Sequence, residues 1–299
     1  GKKHDGSSAA EWDNSELINE ILSLRHELAQ LLGFDNYAER SLATKMAEDC
    51  DQVIGFLSDL AEKSLPVAKR EYAELEDFAT KEYGVKELNA WDLTYYSEKL
   101  RQAVYAISQE ELRPYFPAER VTDGMFAVVK RLYNIDVIEE QGVDIWQADV
   151  RYFRIEKNGL EIASFYLDIF ARENKRGGAW MADCRVRRQT PVGLQKPVAF
   201  LTCNFTPPVG DVPSLLNHNE VTTLFHEFGH GLHHMLTKVD VAAVSGINGV
   251  PWDAVELPSQ FLENWCWEPE VIPMISSHYE SGEALPKELL DKMLAAKNF

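Results

Sequence analysis

Five of the eight histidines in this chain of 299 residues lie between positions 218 and 234. Two of them, His226 and His230, enclose Glu227 in the pattern H-E-x-x-H. On an α-helix this spacing places both imidazoles on one face, one turn apart, where they can bind a single metal ion. A glutamate beside such an ion can accept a proton from a water molecule. The pattern therefore predicts a metal site with Glu227 as its general base.

A helix over residues 218–238 is expected to carry this pattern. Asn217 can cap its start, because Glu220 follows three residues later and can return the hydrogen bond. An apolar stripe opposite the histidines would give this helix a core to pack on. The stripe consists of Leu224, Phe228, Leu232 and Met235.

A third ligand is needed, because catalytic zinc usually has three protein ligands and one position open to water. The segment 252–267, which we predict to be helical, offers Glu256 and Glu263 on one face. Seven residues of helix rise about 10 Å, so only one of these carboxylates can bind the ion directly. The other can at most orient a liganding imidazole. Spacing alone leaves their order open.

Imidazole and carboxylate ligands favour zinc, and we expect one Zn²⁺ per chain. Zinc lowers the pKa of a bound water to about 7, which makes hydroxide available at neutral pH. Glu227 would take the proton from that water and pass it to a leaving amine. The expected chemistry is hydrolysis of an amide.

The remaining elements predict a mainly α-helical protein with a small antiparallel β-sheet, an α+β fold. Apolar residues recur at helical spacing from Ser15 to a cap at Gly33, and again over 51–80, 92–106, 122–133 and 286–297. Two strands, Val150–Ile155 and Leu160–Leu167, flank Asn158-Gly159, which is a strong hairpin signal. A third strand is predicted at Val198–Phe205.

Composition excludes several classes of protein. The formal net charge of −18 argues against general binding to nucleic acid or anionic membranes. No apolar run approaches the roughly 18 residues of a membrane span, and no secretory signal is visible at the start, so we expect a cytoplasmic protein. The four cysteines are widely spaced and predict buried free thiols rather than disulfides or a thiolate metal site.

The stretch HEFGHGLHH, followed by SGINGVPWDAVELPSQFLENWCWEPE, resembles the thimet-oligopeptidase family of zinc metallopeptidases. The resemblance extends through SLATKMA, WDLTYYSEK, LRPYFP, SFYLDIFARENKRGGAW and PVAFLTCNF. It implies that His226, His230 and Glu256 are the zinc ligands. It also implies that Glu227 is the general base and that Glu263 is an outer carboxylate.

The same resemblance implies a two-lobed channel fold, with the small sheet beside the zinc and short unstructured peptides as substrates. The expected activity is that of a zinc endopeptidase acting on oligopeptides. One alternative is a dipeptidyl carboxypeptidase of the same family, which would need a group that captures the substrate's terminal carboxylate. Another is a zinc-binding or peptide-binding fragment with weak activity.

The chain is expected to be truncated at both ends relative to the family. Residues 1–12 would form a flexible tail and residues 13–299 a helical metallopeptidase catalytic region. Family members continue with tyrosines and a histidine that stabilise the tetrahedral intermediate. Without such donors the rate typically falls by a factor of about a hundred to a thousand. Truncation would also expose apolar surface and favour association.

Two features keep two interpretations each. The strand Val198–Phe205 is either a platform to which an extended peptide adds itself or an ordinary structural strand. Gly246 and Gly249 belong either to a mobile loop over the substrate or to a simple turn. His233 follows the ligands on the same face and is expected to be a hydrogen-bonded structural histidine. The acidic composition is compatible with a preference for basic peptides.

Overall fold

The computed structural model describes residues 13–298, so the tail predicted at 1–12 lies outside the described residues. The described chain divides into two units. One holds the residues up to Glu71 together with Pro251–Ala254, and the other holds Tyr72–Val250 and the residues from Val255 onward. The described α-helices are α1 (Ser15–Leu31), α2 (Tyr37–Leu42), α3 (Cys50–Tyr83), α4 (Leu93–Tyr105), α5 (Gln109–Leu112), α6 (Ala118–Tyr133), α7 (His218–Met235), α8 (Leu257–Glu263), α9 (Ile272–Ile275) and α10 (Lys287–Ala295).

The first unit contains α1, α2 and the start of α3. Helix α1 ends before Gly33, whose φ of +82° is the left-handed conformation that the predicted cap requires. Asn36 caps α2 by accepting a hydrogen bond from the backbone N–H of Glu39. In the same unit the carboxylate of Asp253 accepts hydrogen bonds from the backbone N–H groups of Met46 and Ala47, at 3.0 Å each.

The strands of the second unit are β1 (Asp136–Glu139), β2 (Arg151–Lys157), β3 (Leu160–Phe170), β4 (Trp180–Arg185), β5 (Arg188–Thr190), β6 (Gly193–Gln195) and β7 (Val198–Phe205). Five of them form a mixed sheet in the order β1-β2-β3-β7-β4. Strands β5 and β6 form a separate two-stranded sheet.

The predicted hairpin is confirmed, but the prediction of a purely antiparallel sheet is wrong. Asn158 and Gly159 have φ values of +54° and +73°, and they connect β2 to β3 in antiparallel register. Strand β7 lies parallel to β3 because the chain first runs out to β4 and then returns to pair between the two. Local alternation of side chains does not reveal such a crossover, since it is the same for both directions of pairing.

The position of β7 decides one of the open alternatives. Strand β7 pairs with β3 on one side and with β4 on the other, so its backbone groups are already used. It is therefore a structural strand and not a platform for an added peptide. Strand β4 lies at the end of the sheet, with no second strand partner among residues 13–298.

The core of the second unit lies between one face of this sheet and helices α6 and α7. Phe165 on β3, Phe228 on α7 and Phe126 on α6 contact one another, with ring centroids 5.5 to 6.0 Å apart. Phe165 and Phe228 are fully buried. This packing fixes α7, and hence its histidines, against the sheet.

The segment predicted as one helix over 252–267 is interrupted. Helix α8 begins only at Leu257, with Pro258 in its first turn, and residues 252–256 form turns. Proline lacks a backbone N–H and is favoured in the first turn of a helix, which accounts for the late start. After Glu263 the chain continues as the 3-10 helix Asn264–Trp267.

None of the described helices is long and apolar enough to cross a membrane. All four cysteines are free, and Cys203 and Cys266 are buried as predicted. The prediction of burial is wrong for the other two: Cys184 is exposed, because β4 is the outer strand of the sheet, and Cys50 at the start of α3 is only half-buried.

Candidate metal centre

Helix α7 has the start that the sequence predicts. The side chain of Asn217 accepts a hydrogen bond from the backbone N–H of Glu220 at 2.9 Å, and the Glu220 carboxylate accepts one from the backbone N–H of Asn217 at 2.8 Å. The helix ends at Met235, three residues earlier than expected. Its apolar stripe is buried, so the opposite face with the two histidines is directed away from the core.

His226, His230 and Glu256 come together on this face. Oε2 of Glu256 lies 3.3 Å from Nε2 of His226 and 3.3 Å from Nε2 of His230. The two imidazole rings have centroids 4.9 Å apart and are nearly perpendicular. One nitrogen or oxygen atom from each residue lies within 4.8 Å of the other two. The three side chains therefore point donor atoms at a common position.

The close approach of α8 to α7 depends on Gly229. A Cβ atom at this position would lie 2.6 Å from the carbonyl oxygen of Pro258 and 2.6 Å from Cα of Ser259. Ser259 in turn donates a hydrogen bond to the carbonyl oxygen of Glu256, and its hydroxyl lies 3.3 Å from Oε2 of the same residue. These contacts set the position of Glu256, which immediately precedes α8.

Glu263 contacts the opposite side of His226. Its Oε1 accepts a hydrogen bond from Nδ1 of His226 at 2.6 Å. A proton held on Nδ1 leaves the lone pair of Nε2 free, and Nε2 is the atom that faces Glu256. The two glutamates do not share a helical face as the sequence predicted, because Glu256 lies in the turn before α8. Both carboxylates consequently reach the same imidazole from its two nitrogens.

Glu227 is buried beside this group, with 7% of its surface exposed. The backbone N–H of Met181 on β4 donates a hydrogen bond to its carboxylate. Burial raises the pKa of Glu227 above its ordinary value, and the nearby charge of Glu256 adds to this, whereas His226 and the Met181 N–H oppose it. A carboxylate with a raised pKa is a better proton acceptor at neutral pH.

Burial also affects the histidines. It lowers the pKa of His230, and the neighbouring His226 lowers it further, whereas Glu256 acts in the opposite direction. The neutral imidazole is the form that binds metal ions. Burial therefore favours, in His230, the protonation state that a ligand needs.

The other histidines of α7 do not join the group. His234 donates from Nε2 to the carbonyl oxygen of Arg185, and His218 donates from Nε2 to the carbonyl oxygen of Cys266. His233 was expected to be hydrogen-bonded, but its Nδ1 is buried without a hydrogen-bond partner among the described residues. Burial lowers the pKa of His233.

Two residues that contact glutamates of the candidate metal centre, Met181 and Ser259, were not predicted from the sequence. Met181 acts through its backbone N–H, so its residue type gives no signal, and the strand that carries it was not predicted. Ser259 is fully buried and contacts Glu256 only because α8 starts where it does. The proline at position 258 is the signal that could have indicated this start.

The donor set fits zinc. Zinc in proteins is usually tetrahedral with bonds of about 2.0 to 2.2 Å, which places neighbouring ligand atoms about 3.4 Å apart. The two distances of 3.3 Å from Glu256 to the imidazoles have this length. The Glu256 side chain is 53% exposed, so solvent reaches the open side of the group.

The chain belongs to peptidase family M3, which it matches over residues 2–299. The resemblance seen in the sequence is thereby confirmed. Oligopeptidase A of Escherichia coli K12 is 62% identical over 296 residues, which cover 98% of this chain and 44% of that protein. Organellar oligopeptidase A of Arabidopsis thaliana is 46% identical over 303 residues, covering 98% of this chain and 38% of the relative.

A dipeptidyl carboxypeptidase of Escherichia coli K12 is also similar. It is 35% identical over 289 residues, which cover 96% of this chain and 42% of that protein. The chain therefore spans less than half the length of each of these relatives. Both kinds of peptidase named among the expected activities occur among them.

Proposed function

We propose that this chain carries the zinc centre of an endopeptidase that hydrolyses short, unstructured oligopeptides. The observation that supports this most is the convergence of His226, His230 and Glu256 beside the buried Glu227. The similarity to oligopeptidase A exceeds that to dipeptidyl carboxypeptidase, 62% against 35% identity, and favours endopeptidase activity over the alternative. We also propose that these peptides reach the zinc centre through a channel.

In the proposed mechanism, His226, His230 and Glu256 would hold a zinc ion. When bound, it would act as a Lewis acid that polarises the peptide carbonyl and lowers the pKa of water. Glu227 accepts the proton of the attacking water and passes it to the leaving amine. The N–H of Met181 orients the Glu227 carboxylate, and Glu263 fixes the imidazole of His226 with Nε2 directed at the metal.

An extended peptide has a place to bind beside this centre. Met181 on β4 hydrogen-bonds Glu227 through its backbone, and among the described residues β4 has a strand partner, β7, on one side only. We infer that the free edge of β4 faces the site. Exposed edge strands accept extended peptides through main-chain hydrogen bonds. The peptide would thus lie along β4 with its scissile carbonyl near Glu227.

Cleavage of an internally quenched peptide with an amidated C-terminus tests this function. Glu227→Gln should keep about one zinc per chain and lose a factor of about 10² to 10⁴ in rate. Glu62→Gln, on an exposed position of α3, is the control and should cleave at the parent rate. Glu227→Gln with parental activity would contradict the assignment of the base.

The same assay separates the alternatives. A dipeptidyl carboxypeptidase would need a free C-terminus and would leave the amidated peptide intact. If the parent chain binds zinc but cleaves neither the amidated peptide nor the same peptide with a free C-terminus, the result would support the interpretation as a weakly active fragment.

The order of the two glutamates is tested by metal affinity. Glu256→Ala should release zinc at lower chelator concentration than Glu263→Ala, because Glu256 is proposed to bind the ion and Glu263 only its ligand. The reverse order in the chelator titration would exchange their roles.

A further inference from the structure

An open cavity of about 390 Å³ lies on the surface of the sheet face opposite α7. Its aromatic walls are Trp146, Trp180 and Phe200, and the segment 171–179 between β3 and β4 closes one side of it. The cavity is unusual for an acidic chain, because three cationic side chains line it and only one carboxylate does. These are Arg172, Lys175, Arg176 and Asp168.

The carboxylate of Asp168 is fully occupied by its neighbours. Arg172 donates to both of its oxygens, at 2.7 and 2.8 Å. Lys175 donates to Oδ1 at 2.8 Å, and the indole N–H of Trp146 donates to Oδ2 at 3.0 Å. Asp168 therefore has no capacity left to neutralise a further cation.

Arg176 is the third cation that lines the cavity, and it does not contact Asp168. Its guanidinium lies over the ring of Trp180, 5.2 Å from the centroid, and it has no carboxylate partner among the residues that the structure describes. Stacking on tryptophan orients a guanidinium and leaves its edge free for a planar anion. A carboxylate bound there would find a preformed partner.

The backbone around Arg176 is held from two sides. The side-chain amide of Asn204 donates to the carbonyl oxygens of Arg176 and Gly178, at 2.8 and 2.7 Å. Lys175 donates to the carbonyl oxygens of Asp168 and Phe170, at 2.9 and 2.7 Å. The backbone of the loop that carries Arg176 is thus preorganised, which lowers the entropic cost of binding.

The cavity adjoins the edge proposed to bind peptide. Trp180 directly precedes Met181 on β4, and successive side chains of a strand point to opposite faces. Met181 packs against the core on the face of α7, whereas Trp180 lines the cavity. A peptide added to β4 would present alternate side chains to the zinc centre and to the cavity.

We propose that Arg176 and Trp180 form a subsite that binds a carboxylate of the peptide substrate. This inference rests on the proposed function for the path of the peptide along β4. The net charge of −18 would favour basic peptides, but charge interactions are screened beyond about 8 Å at physiological salt. The local excess of positive charge therefore determines the preference at this position, and an acidic residue is selected.

Binding to the zinc-loaded Glu227→Gln chain, which does not turn peptide over, tests the subsite. The probes are three peptides of one scaffold: one with Glu and an amidated C-terminus, one with Gln and an amidated C-terminus, and one with Gln and a free C-terminus. Fluorescence anisotropy should give tighter binding of the Glu peptide than of its amidated Gln counterpart, by about three- to tenfold. Scanning the Glu along the scaffold identifies the position that contacts Arg176.

Variants at position 176 identify the group responsible. Adding Arg176→Gln should abolish the preference for Glu, and Arg176→Lys should restore part of it, because lysine keeps the charge without the planar fork. Arg70→Gln, at an exposed position of α3, removes the same charge elsewhere and should leave the preference unchanged. An Arg176-dependent preference for the free C-terminus would instead identify the chain end as the carboxylate.

Two results would overturn the subsite. Equal binding of all three peptides would do so, as would a preference that survives Arg176→Gln. If the subsite fails in this way but the parent chain still cleaves the neutral amidated peptide, the proposed function stands and only the subsite is overturned. Absence of binding by every peptide, together with absence of cleavage, would overturn both.

Discussion

Helices α3 and α7 carry similar apolar periodicity in the sequence, but they differ in what covers their apolar side chains. In α7 eleven residues are buried, among them Phe225, Phe228 and Leu232. In the longer α3 only Leu75 and Ala79 are buried among the described residues, and Phe56 remains 67% exposed. Periodicity therefore predicts a helix, but the helix buries its apolar face only where another surface packs against that face.

The difference in burial also affects titratable side chains. Burial shifts the pKa values of four residues on α7, namely His218, Glu227, His230 and His233. Such perturbed groups are typical of functional sites. The contrast between the two helices can be tested with pairs of matched substitutions.

The largest effect is expected from removing a phenylalanine. Phe228→Ala leaves a cavity between α7, β3 and α6 and should lower the free energy of unfolding by about 3 to 5 kcal/mol. Phe56→Ala on α3 should cost less than about 1 kcal/mol, since most of that ring already contacts water. Chemical denaturation of both variants checks this. Equal losses would show that α3 is as well covered as α7.

A smaller effect should appear in the pH dependence of stability. Burial lowers the pKa of His218 from an ordinary value of 6.5 to about 4. Between these values the unfolded chain takes up a proton that the folded chain does not, so stability falls as the pH decreases from 6.5 to 4. A difference of this size corresponds to roughly 3 kcal/mol.

The matched variants for this prediction are His218→Gln and His26→Gln. His218→Gln should flatten the decrease in melting temperature between pH 6.5 and 4. His26 lies at an exposed position of α1, and its replacement should leave the parent profile unchanged. A parental profile in His218→Gln would rule out His218 as the source.

The smallest effect is expected from two helical glycines. Gly229→Ala would bring Cβ within 2.6 Å of backbone atoms of Pro258 and Ser259, so α8 must shift. We expect a loss of about 1 to 3 kcal/mol and weaker zinc binding, because Glu256 shifts with α8. Gly55→Ala on α3 meets no atom within 4 Å and should stabilise the chain by up to about 1 kcal/mol. Unchanged zinc affinity in Gly229→Ala would contradict the role given to this contact.

Much of the fold could be predicted because its signals are local. The capping pair at Asn217 and Glu220, the hairpin at Asn158-Gly159 and the strand Val198–Phe205 each depend on neighbouring residues, and the structure contains all three. The H-E-x-x-H pattern is equally local, and its two histidines meet as helical spacing requires. The roles of these residues remain predictions.

The remainder depends on contacts between distant segments. The parallel pairing of β3 and β7 follows from the return of the chain around β4, and β4 itself is short and lacks a regular apolar alternation. The position of Glu256 depends on where α8 begins and on the space that Gly229 leaves. Residue spacing along a single helix could not have predicted that Glu256 and Glu263 contact different nitrogens of the His226 ring.

Crystals of the chain grown with zinc would test the central claim most directly. An anomalous difference map at the zinc edge should show one peak about 2.0 to 2.2 Å from Nε2 of His226, Nε2 of His230 and a carboxylate oxygen of Glu256. Glu263 should remain hydrogen-bonded to Nδ1 of His226. A map without density between these three residues, or with zinc bound by Glu263 instead of Glu256, would contradict the account.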